Sequence, residues 1–198
     1  MGMGYIGLPT AVLLANQGYQ VHGVDINQKT IEIINRGETH IVEPELNKFV
    51  YSAIRSGSFK VNIKPAEADI FIIAVPTPFY EDKLNKLTNS PIPNVNYIVE
   101  ATKQIASFVK SGNLILLEST SPVGTTDMVS EILKKEGVDT SGIYIAHSHY
   151  AYFFITFHII RFLEHLKFFL WRYHFRMDCE FCSFSHIHFY HLLVFEPL

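Results

Sequence analysis

Gly2-Met3-Gly4-Tyr5-Ile6-Gly7-Leu8-Pro9 reads as a G-x-G-x-x-G turn that opens directly into a helix. Glycines at these three places permit a tight bend and let backbone N–H groups approach a pyrophosphate held at the helix N-terminus. Residues 7–17 carry the helical pattern, with Pro9 in the first turn and Gly18 placed to end it. Residues 21–26 (VHGVDI) follow as a strand, and its acid, Asp25, comes 18 residues after Gly7. A carboxylate at that strand end accepts hydrogen bonds from ribose hydroxyls and repels a 2′-phosphate, so the spacing predicts a dinucleotide site that prefers NAD to NADP. The bland alternative is a glycine-rich turn with no ligand.

Working outward, short apolar runs alternate with helical patterns. Helices are expected over 28–36, closed by Gly37, and over 45–56, followed by Gly57, with a short strand over 59–63. The run IFIIAV at 70–75 suits a strand buried on both faces, and Val75-Pro76-Thr77-Pro78 stops it because proline has no ladder donor. Residues 79–94 are polar and proline-bearing and read as a loop. A helix over 95–109 presents Ile98, Ala101, Ile105 and Phe108 on one side, and NLILL at 113–117 is the next strand. ESTSPVGTT at 118–126 is a polar turn into a helix reaching 135, and another strand begins at 143–146. The alternation predicts an α/β, doubly wound, mostly parallel sheet of the Rossmann type. The glycine turn normally follows a strand, and only Met1 precedes Gly2. The sheet is therefore expected to be incomplete, lacking the first strand of the order 3-2-1-4-5-6, as in an N-terminally truncated domain.

The 198 residues carry 16 Lys and Arg against 19 Asp and Glu, a net charge of −3. With a pI near 6.3 there is no basic surface for a polyanion, which excludes nucleic acid as the expected partner. Mean hydropathy is +0.15, and the excess sits at one end. Residues 147–198 hold 16 of the 27 aromatics, 8 of the 10 histidines, both cysteines and the tryptophan, while all 11 glycines lie at or before Gly142. The chain divides into a dinucleotide-binding domain over 1–147 and an aromatic, histidine-rich tail over 148–198 foreign to that fold, best explained as out-of-frame or disordered sequence. Two other readings of the tail are weaker. Cys179-x-x-Cys182 with His186, His188 and His191 offers zinc ligands in no trusted spacing, so no metal is assigned. Residues 143–160 lack Lys, Arg, Asp and Glu, but three histidines interrupt them and Arg161, Glu164 and Lys167 follow, which argues against a membrane span. The apolar residues 5–15 have no basic residue before them, so no targeting signal is read and a cytoplasmic location is expected.

GMGYIGLPTAVLLANQGYQVHGVDIN, INRGETHIVEPEL, EADIFIIAVPTPF and LLESTSPVGTT, in this order, resemble the N-terminal domain of the UDP-glucose/GDP-mannose dehydrogenases, and most of all their UDP-N-acetyl-D-mannosamine branch. The resemblance runs from Met1 to about His147, where that family would continue with a Cys-Pro-Glu-Arg-like segment, a dimerising helical region and a sugar-nucleotide domain. It implies an NAD-dependent, two-step oxidation of a UDP-sugar C6 alcohol to a carboxylate through a covalent thioester. It also implies cofactor contacts at Gly2, Gly4, Tyr5, Ile6, Gly7, Asp25, Thr77 and Thr120, with Thr120 helping to hold a hydrolytic water. Taken without the resemblance, Thr77 reads first as a turn hydroxyl between prolines, and Thr120 as a turn or helix-capping hydroxyl. The family's cysteine, lysine and asparagine come from the part not recognisable here, and neither Cys179 nor Cys182 lies in a matching motif. The expectation is a fragment of a nucleotide-sugar dehydrogenase that is inactive alone and lacks the family's oligomer-forming region. The alternatives are an NAD-binding module without catalysis and a membrane-associated fragment held by its tail.

Overall fold

In a computed structural model of the chain, residues 1–43, 45–85, 89–148 and 194–195 are described. Helix α1 (Gly7–Asn16) follows the glycine turn, in which Gly2 takes a φ of +85°. It ends where Gly18 turns left-handed. The N–H of Gly18 reaches the carbonyl of Ala15 at 3.0 Å and that of Tyr19 the carbonyl of Leu14 at 3.2 Å, the paired bonds that use up a helix's last acceptors. The strand β1 (Val21–Val24), helix α2 (Gln28–Asn35), helix α3 (Leu46–Arg55) and strand β2 (Phe59–Asn62) come next. Asn27 caps α2, its side-chain oxygen accepting from the N–H of Lys29 at 3.0 Å and of Thr30 at 3.5 Å. The second half runs β3 (Ile70–Ile73), β4 (Phe79–Leu84), β5 (Pro91–Pro93), α4 (Asn96–Ala106), β6 (Leu114–Leu117), α5 (Thr125–Lys135) and β7 (Tyr144–His147).

β1 and β2 pair in parallel, Val21 opposite Phe59, while β3, β6 and β7 form a parallel set with Ile70 opposite Leu114 and Leu114 opposite Tyr144. Residues 1–3 lie between the two groups. Met1 donates from its amino nitrogen to the Ile72 carbonyl at 2.8 Å and accepts from the Ala74 N–H at 2.9 Å, a parallel pattern, while the Gly2 N–H reaches the Val24 carbonyl at 2.8 Å. The spatial order is thus β2, β1, residues 1–3, β3, β6, β7, and the chain's progress across the sheet reverses at residues 1–3. Each side has its own apolar core. Leu8, Val12, Ile34, Val50 and Val61 fill the first, and Ile73, Ile98, Ile105, Ile115, Leu117 and Leu133 the second. The pattern matches the expected α/β alternation of parallel strands and covering helices.

Residues 79–94, expected as a loop, instead contain an antiparallel ribbon of β4 and β5 with Phe79 opposite Pro93 and Leu84 opposite Pro91. Pro91 and Pro93 are two residues apart, so their missing donors fall on the same side of the strand. The Asn94 N–H, on the other side, donates to the Pro78 carbonyl at 2.6 Å, which puts the prolines' donor-free side away from β4. A short β8 (Val194–Phe195) pairs antiparallel with β7, Phe195 opposite Ala146. The other residues beyond Ser148, with the cysteine–histidine cluster and most of the apolar run weighed above, lie outside the described residues. Among the described residues no group of three metal-ligating side chains occurs, and no helix is long and apolar enough to cross a membrane.

β2 borders the sheet, and a side chain closes its outer edge. Asn35 donates through Nδ2 to the Val61 carbonyl at 2.8 Å and accepts through Oδ1 from the Val61 N–H at 3.0 Å, supplying both bonds a neighbouring strand would make. Val61 is fully buried, so Asn35→Leu leaves a donor and an acceptor unsatisfied. The expected cost is about 1–3 kcal/mol in urea unfolding.

Candidate functional site

The carboxyl ends of β1 and β3 flank the glycine turn at the point where the strand order reverses, with those of β6 and β7 further along the same edge, the place where open α/β sheets bind ligands. A side chain at Gly7 would run into the Gly2 carbonyl oxygen and come within 3.2 Å of the Ala74 Cβ, and one at Gly2 would come within 2.6 Å of the Ala74 carbonyl oxygen. These two glycines let α1 sit against the end of β3. Gly4 differs: a Cβ there meets nothing within 4 Å, so open space lies above the turn. Among the described residues, the backbone N–H groups of Gly4, Tyr5, Ile6 and Gly7 have no internal acceptor. Four donors beside an open space at a helix N-terminus make a cradle suited to a diphosphate. Tyr5 is exposed and Ile6 half-buried on the same turn.

Asp25 lies just past β1 with its carboxylate fixed from two directions. Oδ2 accepts from the Met3 N–H and Oδ1 from the Asn27 N–H, each at 2.8 Å. Each oxygen keeps a further lone pair, and the half-buried carboxylate stands beside the glycine turn, where a ribose could use it. β1 stops two residues short of the expected strand because Asp25 turns its carboxylate back to Met3, leaving Ile26 exposed.

Thr77 and Thr120 come from turns after β3 and β6. The structure brings their hydroxyls together at 2.7 Å, 43 residues apart in sequence. Thr120 does not cap α5, whose N-cap is Gly124 at φ +84°. Around the pair, the Ser119 hydroxyl donates to the Val75 carbonyl at 2.7 Å. His147 Nε2, at the end of β7, stands 3.1 Å from both the Ser119 carbonyl oxygen and the Ser121 Oγ.

Sequence reasoning missed Glu118, Thr10 and His147. Glu118 follows the apolar strand β6, and its carboxylate is buried against α1. Oε1 accepts from the Thr10 hydroxyl on α1 at 3.1 Å, and Oε2 is buried with no hydrogen-bond partner among the described residues. Burial pushes this carboxyl above its ordinary value, opposed by the Thr10 hydrogen bond and by the nearby Met1 amino group. Burial also holds that amino group down to about 6, against the pull of Glu118 and Asp25. The one sequence signal for Glu118 was an acid placed directly after a buried strand.

A carboxyl whose pKa is raised on folding stabilises the fold fully below its unfolded value near 4.5, and that contribution is lost as pH rises through the folded value. Glu118→Gln keeps an acceptor for Thr10 and never ionises. Its midpoint in thermal unfolding should match that of the parent near pH 4 and exceed it once the pH has risen through the folded value. Parallel curves would show that no ionisation cost resides at this position.

Comparison with known proteins agrees with the geometry. Residues 1–149 match the family model of the UDP-glucose/GDP-mannose dehydrogenase family, NAD binding domain. A UDP-N-acetyl-D-mannosamine dehydrogenase from Campylobacter jejuni is 50% identical over 141 residues, covering 71% of this chain and 33% of that protein. The enzyme of the same name from Escherichia coli K12 is 47% identical over 133 residues, covering 67% of this chain and 30% of the relative. The native structure of the UDP-N-acetyl-mannosamine dehydrogenase of Staphylococcus aureus superposes with a TM-score of 0.65 at 38% identity, over 74% of this chain and 34% of that one. The chain therefore spans about a third of the length of the relatives it matches. With its glycine cradle, its strand-end acid and the match over residues 1–149, the chain belongs to the UDP-glucose/GDP-mannose dehydrogenase family, of which it carries the NAD-binding domain.

Proposed function

We propose that this domain holds NAD across the carboxyl edge of its sheet for the oxidation of a nucleotide sugar of the UDP-N-acetylmannosamine type. The observation that carries the reading is the cradle: N–H groups from Gly4 to Gly7 with no acceptor among the described residues, beside open space and near the fixed carboxylate of Asp25. NAD, when bound, accepts the hydride taken from the sugar's carbinol carbon. The chain's own residues orient it. Gly2 and Gly7 bring α1 up to the sheet, the N–H groups from Gly4 to Gly7 meet the diphosphate, and Tyr5 and Ile6 border it. Asp25 accepts from the hydroxyls of the adenosine ribose, which puts that half of the cofactor over β1. The other half then extends over β3 and β6, where Thr77 and Thr120 present hydroxyls, and Thr120 is the residue we assign to holding a water for the hydrolytic step.

A thioester route needs a thiol. Both cysteines, Cys179 and Cys182, fall outside the matched residues 1–149, so the chain's proposed part is to bind and orient the cofactor, in the cytoplasm, without turnover of its own. Thermal unfolding of the 198-residue chain with increasing NAD is the test. A ligand held only by the folded state stabilises it by about 2.7 kcal/mol at a hundred times its dissociation constant, and the midpoint should climb accordingly. An unmoved midpoint at millimolar NAD contradicts the binding reading. NADH formed from NAD and UDP-N-acetylmannosamine by the purified chain contradicts the assignment of binding without turnover.

A further inference from the structure

Three neighbouring strand ends, those of β3, β6 and β7, meet around Thr120, and β7 brings His147 to that contact. His147 reaches from β7 to the turn after β6, where its Nε2 lies 3.1 Å from the Ser119 carbonyl oxygen and 3.1 Å from the Ser121 Oγ. A carbonyl oxygen only accepts, so Nε2 carries the hydrogen and shares it between the two oxygens on either side of Thr120. The ring's own position is set by the sheet: Leu117 lies opposite His147, and the Ser148 N–H donates to the Leu117 carbonyl at 2.9 Å. On the opposite side, Ser119 is tied to the turn after β3 through its hydroxyl, 2.7 Å from the Val75 carbonyl oxygen. With its neighbours held from both flanks, Thr120 has its hydroxyl direction left to settle, and Thr77 settles it at 2.7 Å.

Resting on the cofactor assignment above, we infer that His147 is a positioning residue: it clamps the Ser119–Ser121 turn so that the Thr120 hydroxyl meets the nicotinamide half of NAD already oriented. Ordering a loop on binding costs affinity, and a turn fixed beforehand avoids that cost. The effect is confined to one half of the ligand, because the glycine turn, which serves the diphosphate, lies at the strand reversal and Asp25, which serves the adenosine, lies beyond it.

Titration calorimetry of the full chain with NAD and with ADP-ribose, which lacks the nicotinamide, reads this difference. The parent should bind NAD more tightly than ADP-ribose. His147→Leu should lose about fivefold for NAD, the order of one or two neutral hydrogen bonds, and stay within about twofold for ADP-ribose. His147→Gln, which can donate to the same oxygens, should recover most of the loss. Ser121→Ala, which removes one acceptor and leaves the ring in place, should show a smaller loss of the same kind. Thr120→Val should match His147→Leu, and the double variant should lose no more than either alone. Equal weakening of both ligands, additive losses, or no loss in either His147→Leu or Ser121→Ala overturns the inference and leaves the cofactor reading standing. Failure of the parent chain to bind either ligand overturns the cofactor reading, and this inference with it.

Discussion

Asp25→Ala is expected to weaken NAD binding by at least about tenfold, since hydrogen bonds to an ionised group are each worth about 1.5–3 kcal/mol. Two effects contribute and can be separated. The carboxylate loses its bonds to the ribose, and the N–H groups of Met3 and Asn27 lose the acceptors now 2.8 Å away. Met3 is buried, so alanine also destabilises the turn itself. An asparagine in place of the acid keeps one acceptor oxygen and removes the charge. Asp25→Asn should therefore retain more stability than Asp25→Ala while losing its discrimination against the 2′-phosphate of NADP. Calorimetry with both cofactors checks this: the ratio of NADP to NAD affinity should rise by about tenfold or more in the asparagine variant, following the removal of one like charge. An unchanged ratio would place the adenosine ribose away from position 25.

The three glycines of the turn should fail in different ways. Gly7→Ala drives a methyl group into the Gly2 carbonyl oxygen and against Ala74, and the obstacle is backbone that cannot rotate aside. Gly2→Ala adds a contact of 2.6 Å with the Ala74 carbonyl oxygen at a φ of +85°, where an L side chain is strained. Each should cost at least about 2 kcal/mol in urea unfolding, and the two cores, joined through this segment, should loosen from one another. Gly4→Ala meets nothing. It should unfold within about 0.5 kcal/mol of the parent, as an open site allows, yet lose NAD affinity, because its methyl group occupies the space the diphosphate needs. Loss of stability without loss of binding at Gly4, or the reverse at Gly7, would contradict the division between glycines that pack and the glycine that leaves room.

What could be read from the sequence was mainly local. The turn, α1 and its closing glycine obey rules of backbone freedom that single residues announce, and Asp25 follows at a spacing set by one helix and one strand. Strand ends came out one or two residues long, as at Ile26 and Val75, because the apolar pattern continues past the point where the backbone leaves the ladder to shape the site. The ribbon of β4 and β5 escaped notice because Pro91 and Pro93 argue against a strand unless both face away from the partner, and a sequence carries no sign of which side that is. Thr77 and Thr120 were placed at strand ends by pattern, but their contact depends on β3 lying beside β6. Glu118 and Thr10 meet across 108 residues, and His147 reaches Ser119 across 28. Such pairs belong to the sheet order, and an isolated stretch of residues does not contain it.

In the proposed function the glycine turn presents its amide hydrogens to a diphosphate with Asp25 beside it. Amide chemical-shift mapping of the labelled 198-residue chain during NAD addition tests this most directly. The largest changes should fall on Gly4, Tyr5, Ile6 and Gly7, with smaller ones at Asp25 to Asn27 and at Thr77 and Thr120. If those amides stay in place while others move, for instance those lining the groove of Gln28, Asn35 and Asn62 between α2 and β2, the cofactor sits elsewhere and the account is wrong.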